Sequence, residues 1–113
     1  MPGTRNQEYA QRAFHRVQDG NLATNEKYAS FAKSFPALLH SCGLCQAVAF
    51  ADAKKHADLL DDLVAVLADD AARDRYDLAT KAREADVTKY LHLSRDVLSA
   101  SVWIKRYVEA LEE

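Results

Sequence analysis

The chain has 113 residues, which suits one domain and is too short for two. Apolar residues make up 49 % of it and charged residues 28 %, as in ordinary globular proteins. Its apolar runs are only a few residues long and its N-terminal residues are polar. We therefore expect no membrane span, no signal peptide and a cytoplasmic location.

The charges are unevenly distributed, although the net charge is only −2. Residues 48–77 carry 4 basic and 8 acidic side chains, whereas residues 1–47 carry 5 basic and 3 acidic ones. Residues 78–113 carry 6 of each sign. No global basic field exists, so any contact with a nucleic acid must come from local patches outside the acidic middle.

Few residues that break helices are present, since the chain has only 3 Gly and 2 Pro. A sheet protein needs a turn every 8–12 residues or so, usually marked by such residues. The composition therefore predicts an all-α fold, a single compact bundle of five to six helices that forms one domain over residues 1–113.

The first helix is predicted to begin at Thr4, because Gln7 lies three residues on and completes a capping box. Gly20 is predicted to end it in the left-handed conformation. Thr24 is the predicted N-cap of the second helix. The predicted buried faces of these two helices are Tyr9, Ala13, Phe14 and Val17, and then Tyr28, Phe31, Ala32, Phe35, Leu38 and Leu39.

Pro36 interrupts the second helix, and it predicts either a kink or the first turn of a new helix. Gly43 is expected to close this segment. A third helix from about Leu44 and a fourth helix follow, and whether they are continuous between Asp52 and His56 stays open. Their predicted buried residues are Leu44, Ala47, Val48 and Ala51, and then Leu59, Leu60, Leu63, Val64 and Leu67.

Residues 69–75 are predicted to form a solvated connection to a short fifth helix. That helix runs through Tyr76, Leu78, Ala79 and Ala82. Asp86 is a good N-cap for a last helix, which extends nearly to the C-terminus. At 100° per residue its apolar residues cover about half of its circumference. They are Val87, Tyr90, Leu91, Val97, Leu98, Val102, Ile104, Val108 and Leu111.

The most conspicuous short motif is Cys42-Gly-Leu-Cys45. A thioredoxin-like pair needs a preceding strand, which this chain lacks. A zinc site would have to add His40 and His56, yet the second half supplies no further Cys-x-x-Cys or His-x-x-x-His pair. We therefore expect two buried or half-buried cysteines at a helix junction, and no metal.

No catalytic arrangement stands out either. Asp58, Asp61 and Asp62 have the spacing of a Mg²⁺ site on a helix, but the same spacing matches a solvated outer face of the fourth helix. The four histidines lie on four different predicted elements, and a glycine-rich phosphate loop is absent. We expect a protein that is not an enzyme and has no cofactor.

The basic residues outside the acidic middle are more informative as a set. The last helix carries Trp103 and Tyr107 near its cations, and an exposed aromatic pair beside cations is typical of an interface. The alternative is that another helix covers that side. The candidate nucleic-acid contacts are Lys27, Lys33, Lys89, Arg95, Lys105 and Arg106.

Two blocks resemble a known family. Residues 27–39 (KYASFAKSFPALL) and 42–50 (CGLCQAVAF) resemble a signature of the small subunit of type III-B CRISPR–Cas complexes, the fifth Cmr protein. Residues 90–111 (YLHLSRDVLSASVWIKRYVEAL) resemble its second signature, which ends in Trp-Leu-Lys-Arg-Phe-Ala-Glu-Ala. Cys45 replaces the usual Gly and Cys42 a polar residue, so the cysteine pair is not a family site.

The resemblance implies a non-catalytic subunit that stacks in a filament with copies of itself and with the backbone and large Cmr subunits. It implies contacts with CRISPR RNA and target RNA, for which Lys105, Arg106, Lys27 and Lys33 match basic positions of the signatures. Trp103 is then expected to pack rather than to stack on a base. Two alternatives stay open, a generic helical protein–protein adaptor and the analogous small subunit of a type III-A complex.

Overall fold

Six α-helices form within residues 4–68 and 71–112, the parts of the chain that this computed structural model describes. A 3₁₀ turn at Leu22–Thr24 joins the first two. The all-α bundle is therefore confirmed, and none of the described helices is long and apolar enough to span a membrane. The helices are α1 (Arg5–Asp19), α2 (Glu26–Cys42), α3 (Leu44–Ala53), α4 (Ala57–Leu67), α5 (Arg75–Glu84) and α6 (Val87–Leu111).

The helix starts follow from local capping. Thr4 Oγ1 accepts from the Gln7 backbone N–H at 3.1 Å and Gln7 Oε1 from the Thr4 N–H at 2.9 Å, so the predicted capping box is confirmed. The N-cap of α2 is Asn25 rather than Thr24, because the Asn25 side chain accepts from the Tyr28 N–H at 3.2 Å.

Gly20 ends α1 as predicted, but the prediction of a left-handed Gly20 is wrong. Its φ is −84°, and the left-handed residue is Asn21, with φ 54°. Asparagine tolerates this region better than most residues. Glycine is needed at position 20 for space, since a Cβ there would lie 2.9 Å from the Arg16 carbonyl oxygen.

The breaks between α2, α3 and α4 are now defined. No new helix begins at Pro36, because α2 continues through it to Cys42, and Phe35 and Leu39 on either side are buried. Gly43, with φ 83°, closes α2 as predicted. The third and fourth helices are separate, since Lys55 adopts φ 64° between them.

The core is apolar, and all six helices contribute buried residues to it. The buried faces predicted for α3 and α4 are confirmed. Fully burying one large aliphatic or aromatic side chain contributes about 1.5–3 kcal/mol. The largest fully buried apolar side chains are Phe35, Leu44, Leu59, Leu60, Leu63, Leu78, Ile104, Val17, Val66, Val97 and Val108.

Helix α6 lies between α1 and α2, which run in opposite directions along it. Trp103 Nε1 donates to Asn6 Oδ1 at 2.8 Å near the start of α1, and the Tyr107 ring contacts Phe14 further along α1. These contacts make α1 parallel to α6. Helix α2 is antiparallel, since Lys33 in its middle pairs with Glu112 beyond the end of α6, whereas Gly43 at its end lies beside the Tyr90 hydroxyl near the start of α6.

Several of the apolar residues placed on α5 and α6 are exposed. Val87, Leu91 and Leu111 on α6 are 75 %, 60 % and 37 % exposed, and Tyr76 on α5 is 67 % exposed. Val87 and Leu91 lie on another side of α6 than the fully buried Val97 and Ile104. In the predicted connection at 69–75, residues 69 and 70 lie outside the described residues, Ala72 is buried and Arg75 already begins α5.

Asp62 is buried, so the prediction of a fully solvated outer face on α4 is wrong. Tyr28 on α2 donates its hydroxyl to Asp62 Oδ2 at 2.6 Å. Arg16 on α1 donates to Oδ1 through Nε at 2.8 Å and Nη2 at 2.6 Å. Burial raises the pKa of Asp62, and the hydrogen bonds from Tyr28 and Arg16 oppose that rise. The carboxylate thus joins three helices.

We expect Asp62→Ala to lower the free energy of unfolding by about 2–4 kcal/mol, because it leaves the Tyr28 hydroxyl and the Arg16 guanidinium without their acceptor. Tyr28→Phe should cost about 1–2 kcal/mol. In urea unfolding, the double variant should lose less free energy of unfolding than the two single variants lose together. The difference should be at least about 0.5 kcal/mol. Additive losses would show that Tyr28 and Asp62 do not stabilise the fold as a pair.

Candidate nucleic-acid interface

Two of the predicted cations share the outward face of α6. Asp86 fixes the start of this helix by accepting from the Lys89 N–H at 3.0 Å. Arg95 and Arg106 are eleven residues apart, about three turns, so they point the same way, about 16 Å apart along the axis. Both are exposed, and neither is ion-paired within the described residues.

Lys105 lies at the edge of this face, towards α2. It is half-buried, as expected for a side chain whose stem packs while its ammonium group reaches solvent. Lys33 of α2 is on the same side of the molecule, but its Nζ donates to Glu112 Oε2 at 2.6 Å. The charge of Lys33 is therefore partly neutralised, and Lys105 is the freer of the two.

Lys27 and Lys89 lie apart from this group. Lys89 is about 24 Å from Lys105 along α6, given 1.5 Å per residue. It lines a cleft of about 500 Å³ with Lys81, His92 and Asp96. Lys27 is exposed in the first turn of α2. The fold therefore does not bring the six predicted cations into one patch.

Trp103 and Tyr107 are half-buried, so the expectation of an exposed aromatic pair is wrong. Helix α1 covers them, as in the alternative considered from the sequence. The Tyr107 ring meets Phe14 edge-on at 5.3 Å, and Trp103 and Tyr107 stack with centroids 5.8 Å apart. The Arg106 guanidinium lies 5.8 Å from the Trp103 ring centroid. These aromatics position Arg106.

The cysteine pair and the acidic residues form no metal site in the described residues, where no group of three or more His, Cys, Asp or Glu is placed to hold an ion. Cys42 is an exposed free thiol, against the expectation of burial, because it is the last residue of α2. Cys45 is half-buried, as predicted, and its backbone N–H donates to the Tyr90 hydroxyl at 3.1 Å.

A second basic and aromatic surface was missed from the sequence. The Phe31 ring on α2 stacks on His56 at 3.8 Å and lies 6.1 Å from Phe50 on α3. Lys54 Nζ is 6.0 Å from the Phe50 ring centroid. The sequence offered one signal of this surface, since Phe50 and Lys54 are one helical turn apart. His56 could not be placed, because it lies in the turn between α3 and α4, whose path the sequence left open.

Comparison with known proteins shows the family. The CRISPR-associated protein family Cas_Cmr5 matches residues 5–111. The CRISPR system Cmr subunit Cmr5 of Thermus thermophilus is 40 % identical over 114 aligned positions, which cover 97 % of each chain. The crystal structure of a CRISPR-associated Cmr5 family protein from the same organism superposes with a TM-score of 0.86 at 39 % identity, covering 98 % of this chain and 100 % of that one. This chain therefore belongs to the Cmr5 family, the small subunit of the type III-B Cmr complex.

Proposed function

We propose that this chain is a non-catalytic scaffold subunit of a cytoplasmic Cmr complex and that it helps to hold the guide–target RNA duplex. The observation that carries the proposal is the outward cationic face of α6, formed by Arg95 and Arg106 with Lys105 at its edge. None of these three cations is ion-paired with a carboxylate of the described residues. Their charge is therefore available to an external polyanion.

These three cations lie on one helix, α6. Cations on a rigid helix hold a backbone in position without reading its bases. In an RNA-guided complex base pairing supplies the sequence specificity, so such contacts are sufficient for the protein. Lys27 and Lys33 are secondary candidates, since Lys33 must exchange its contact with Glu112 to reach a phosphate. Lys89 is also secondary because of its distance.

A second contact, with protein, is supported by the outer side of the first turns of α6. Val87 and Leu91 are one turn apart and are both largely exposed. Exposed apolar side chains on one side of a helix are typical of a protein interface. We propose that this side contacts another Cmr subunit or a further copy of this chain in a filament. Stacking through charge alone is less well supported, because Asp61, Asp62 and Asp77 are paired internally.

Reversing two charges tests the RNA contact. We expect Lys105→Glu combined with Arg106→Glu to weaken binding of an RNA duplex at least tenfold at about 0.1 M salt, because two phosphate contacts become repulsive. The slope of log K against log salt should become shallower by roughly 1.5, because each of the two lost phosphate contacts contributes about 0.7–0.9 to it. Fluorescence anisotropy over a salt series measures both quantities, and pull-down with the other Cmr subunits measures assembly.

The matched control is Arg73→Glu with Arg83→Glu, which changes the net charge equally at two exposed positions outside the candidate interface. The control should bind duplex RNA within about threefold of the natural protein. If both double variants lose the same affinity for duplex RNA, the net charge of the protein alone explains the loss. If the variant at Lys105 and Arg106 retains affinity and assembly, the phosphate-contact proposal fails.

The non-catalytic part of the proposal has its own test. We expect the purified chain to leave end-labelled single-stranded and duplex RNA intact in the presence of Mg²⁺ or Mn²⁺, assayed by gel electrophoresis over several hours. Cleavage that co-purifies with the chain through successive columns, and that a point variant of the chain abolishes, would show that it is a nuclease.

A further inference from the structure

A continuous stack of three aromatic rings lies where α2, α3 and the turn before α4 meet. The Phe31 ring is in the middle, nearly parallel to His56 at 5° and to Phe50 at 11°. The backbone fixes His56 in place, because its N–H donates to the Ala51 carbonyl at 2.7 Å. Phe31 and His56 are half-buried, whereas Phe50 is 43 % exposed. The stack therefore ends at the surface, at Phe50.

Three exposed lysines lie on the elements that form this stack. Lys54 lies within cation–π distance of Phe50, and Lys55 follows it in the turn. Lys27 is exposed one helical turn before Phe31. None of the three is ion-paired with a carboxylate of the described residues, although Glu26 adjoins Lys27 and both Asp52 and Asp58 lie three residues from Lys55. The charge of these lysines is therefore not neutralised by a direct ion pair.

We propose that Phe50 is a stacking platform for an unpaired RNA base, with Lys27, Lys54 and Lys55 beside the flanking phosphates. This inference rests on the proposed function, since it assumes an RNA-bound complex, but it concerns a different surface and a different form of RNA. It also places a contact within residues 48–77, where the charge balance predicted none. An exposed aromatic ring beside cations binds single strands without sequence preference, because every base has a π-face. Bases within a duplex are already stacked and do not reach the ring.

A protein partner fits this surface less well. Lysine is depleted in the cores of protein interfaces, where its ammonium group would have to be desolvated. Exposed lysines beside the aromatic residue would bring that cost into the contact. A nucleic-acid strand instead supplies a phosphate for the lysines and a base for the ring.

The test compares a single-stranded RNA of about ten nucleotides with an abasic strand of the same length and charge. The natural protein should bind the base-containing strand at least about fivefold more tightly. In Phe50→Ala this preference should disappear, while Phe50→Tyr, which keeps the ring, should retain it. Urea unfolding of both variants checks that the fold is intact.

The readouts separate this inference from the proposed function. Phe50→Ala should leave duplex affinity unchanged, whereas the reversal at Lys105 and Arg106 lowers it. If Phe50→Ala keeps the preference for bases, or if it abolishes Cmr assembly while single-strand affinity is unchanged, the platform is disproved and the duplex contact on α6 stands. If the reversal at Lys105 and Arg106 leaves duplex affinity unchanged while Phe50→Ala loses the preference for bases, the duplex contact fails and the platform stands.

Discussion

The packing of α6 between α1 and α2 is the constraint on which the candidate interface depends. Its buried face, with Val97, Ile104 and Val108, takes one side of the helix, and the two flanking helices take the adjacent sides. Only the outward side of α6 is left uncovered by these contacts. It carries Arg95 and Arg106, so the core itself determines which cations are presented to a partner.

The parts of the fold that local chemistry determines could be predicted from the sequence. The capping box at Thr4, the cap at Asp86 and the buried faces of α3 and α4 depend on residues within one or two turns of each other. Helix α6 shows the limit of this approach. Its apolar and aromatic residues cover more of its surface than one core needs. Which of them are buried depends on which sides of α6 the other helices cover.

Asp62 shows the same limit for a polar residue. By periodicity it belongs with Asp58 and Asp61, and both of those are exposed. It is buried because Tyr28 and Arg16, from two helices distant in sequence, both donate to it. A single sequence has no pattern that relates these three positions. The same holds for His56, whose contact with Phe31 depends on the left-handed Lys55.

The two proposed RNA surfaces rest on different physical terms. The proposed contact at Arg95, Lys105 and Arg106 depends on charge, whose contribution falls with salt and does not require an unpaired base. The proposed contact at Phe50 depends on a ring face, which salt affects little and which only an unpaired base can use. A subunit that held both a duplex and a neighbouring single strand would need both terms. In this proposal the cations and the ring add to each other rather than duplicate one role.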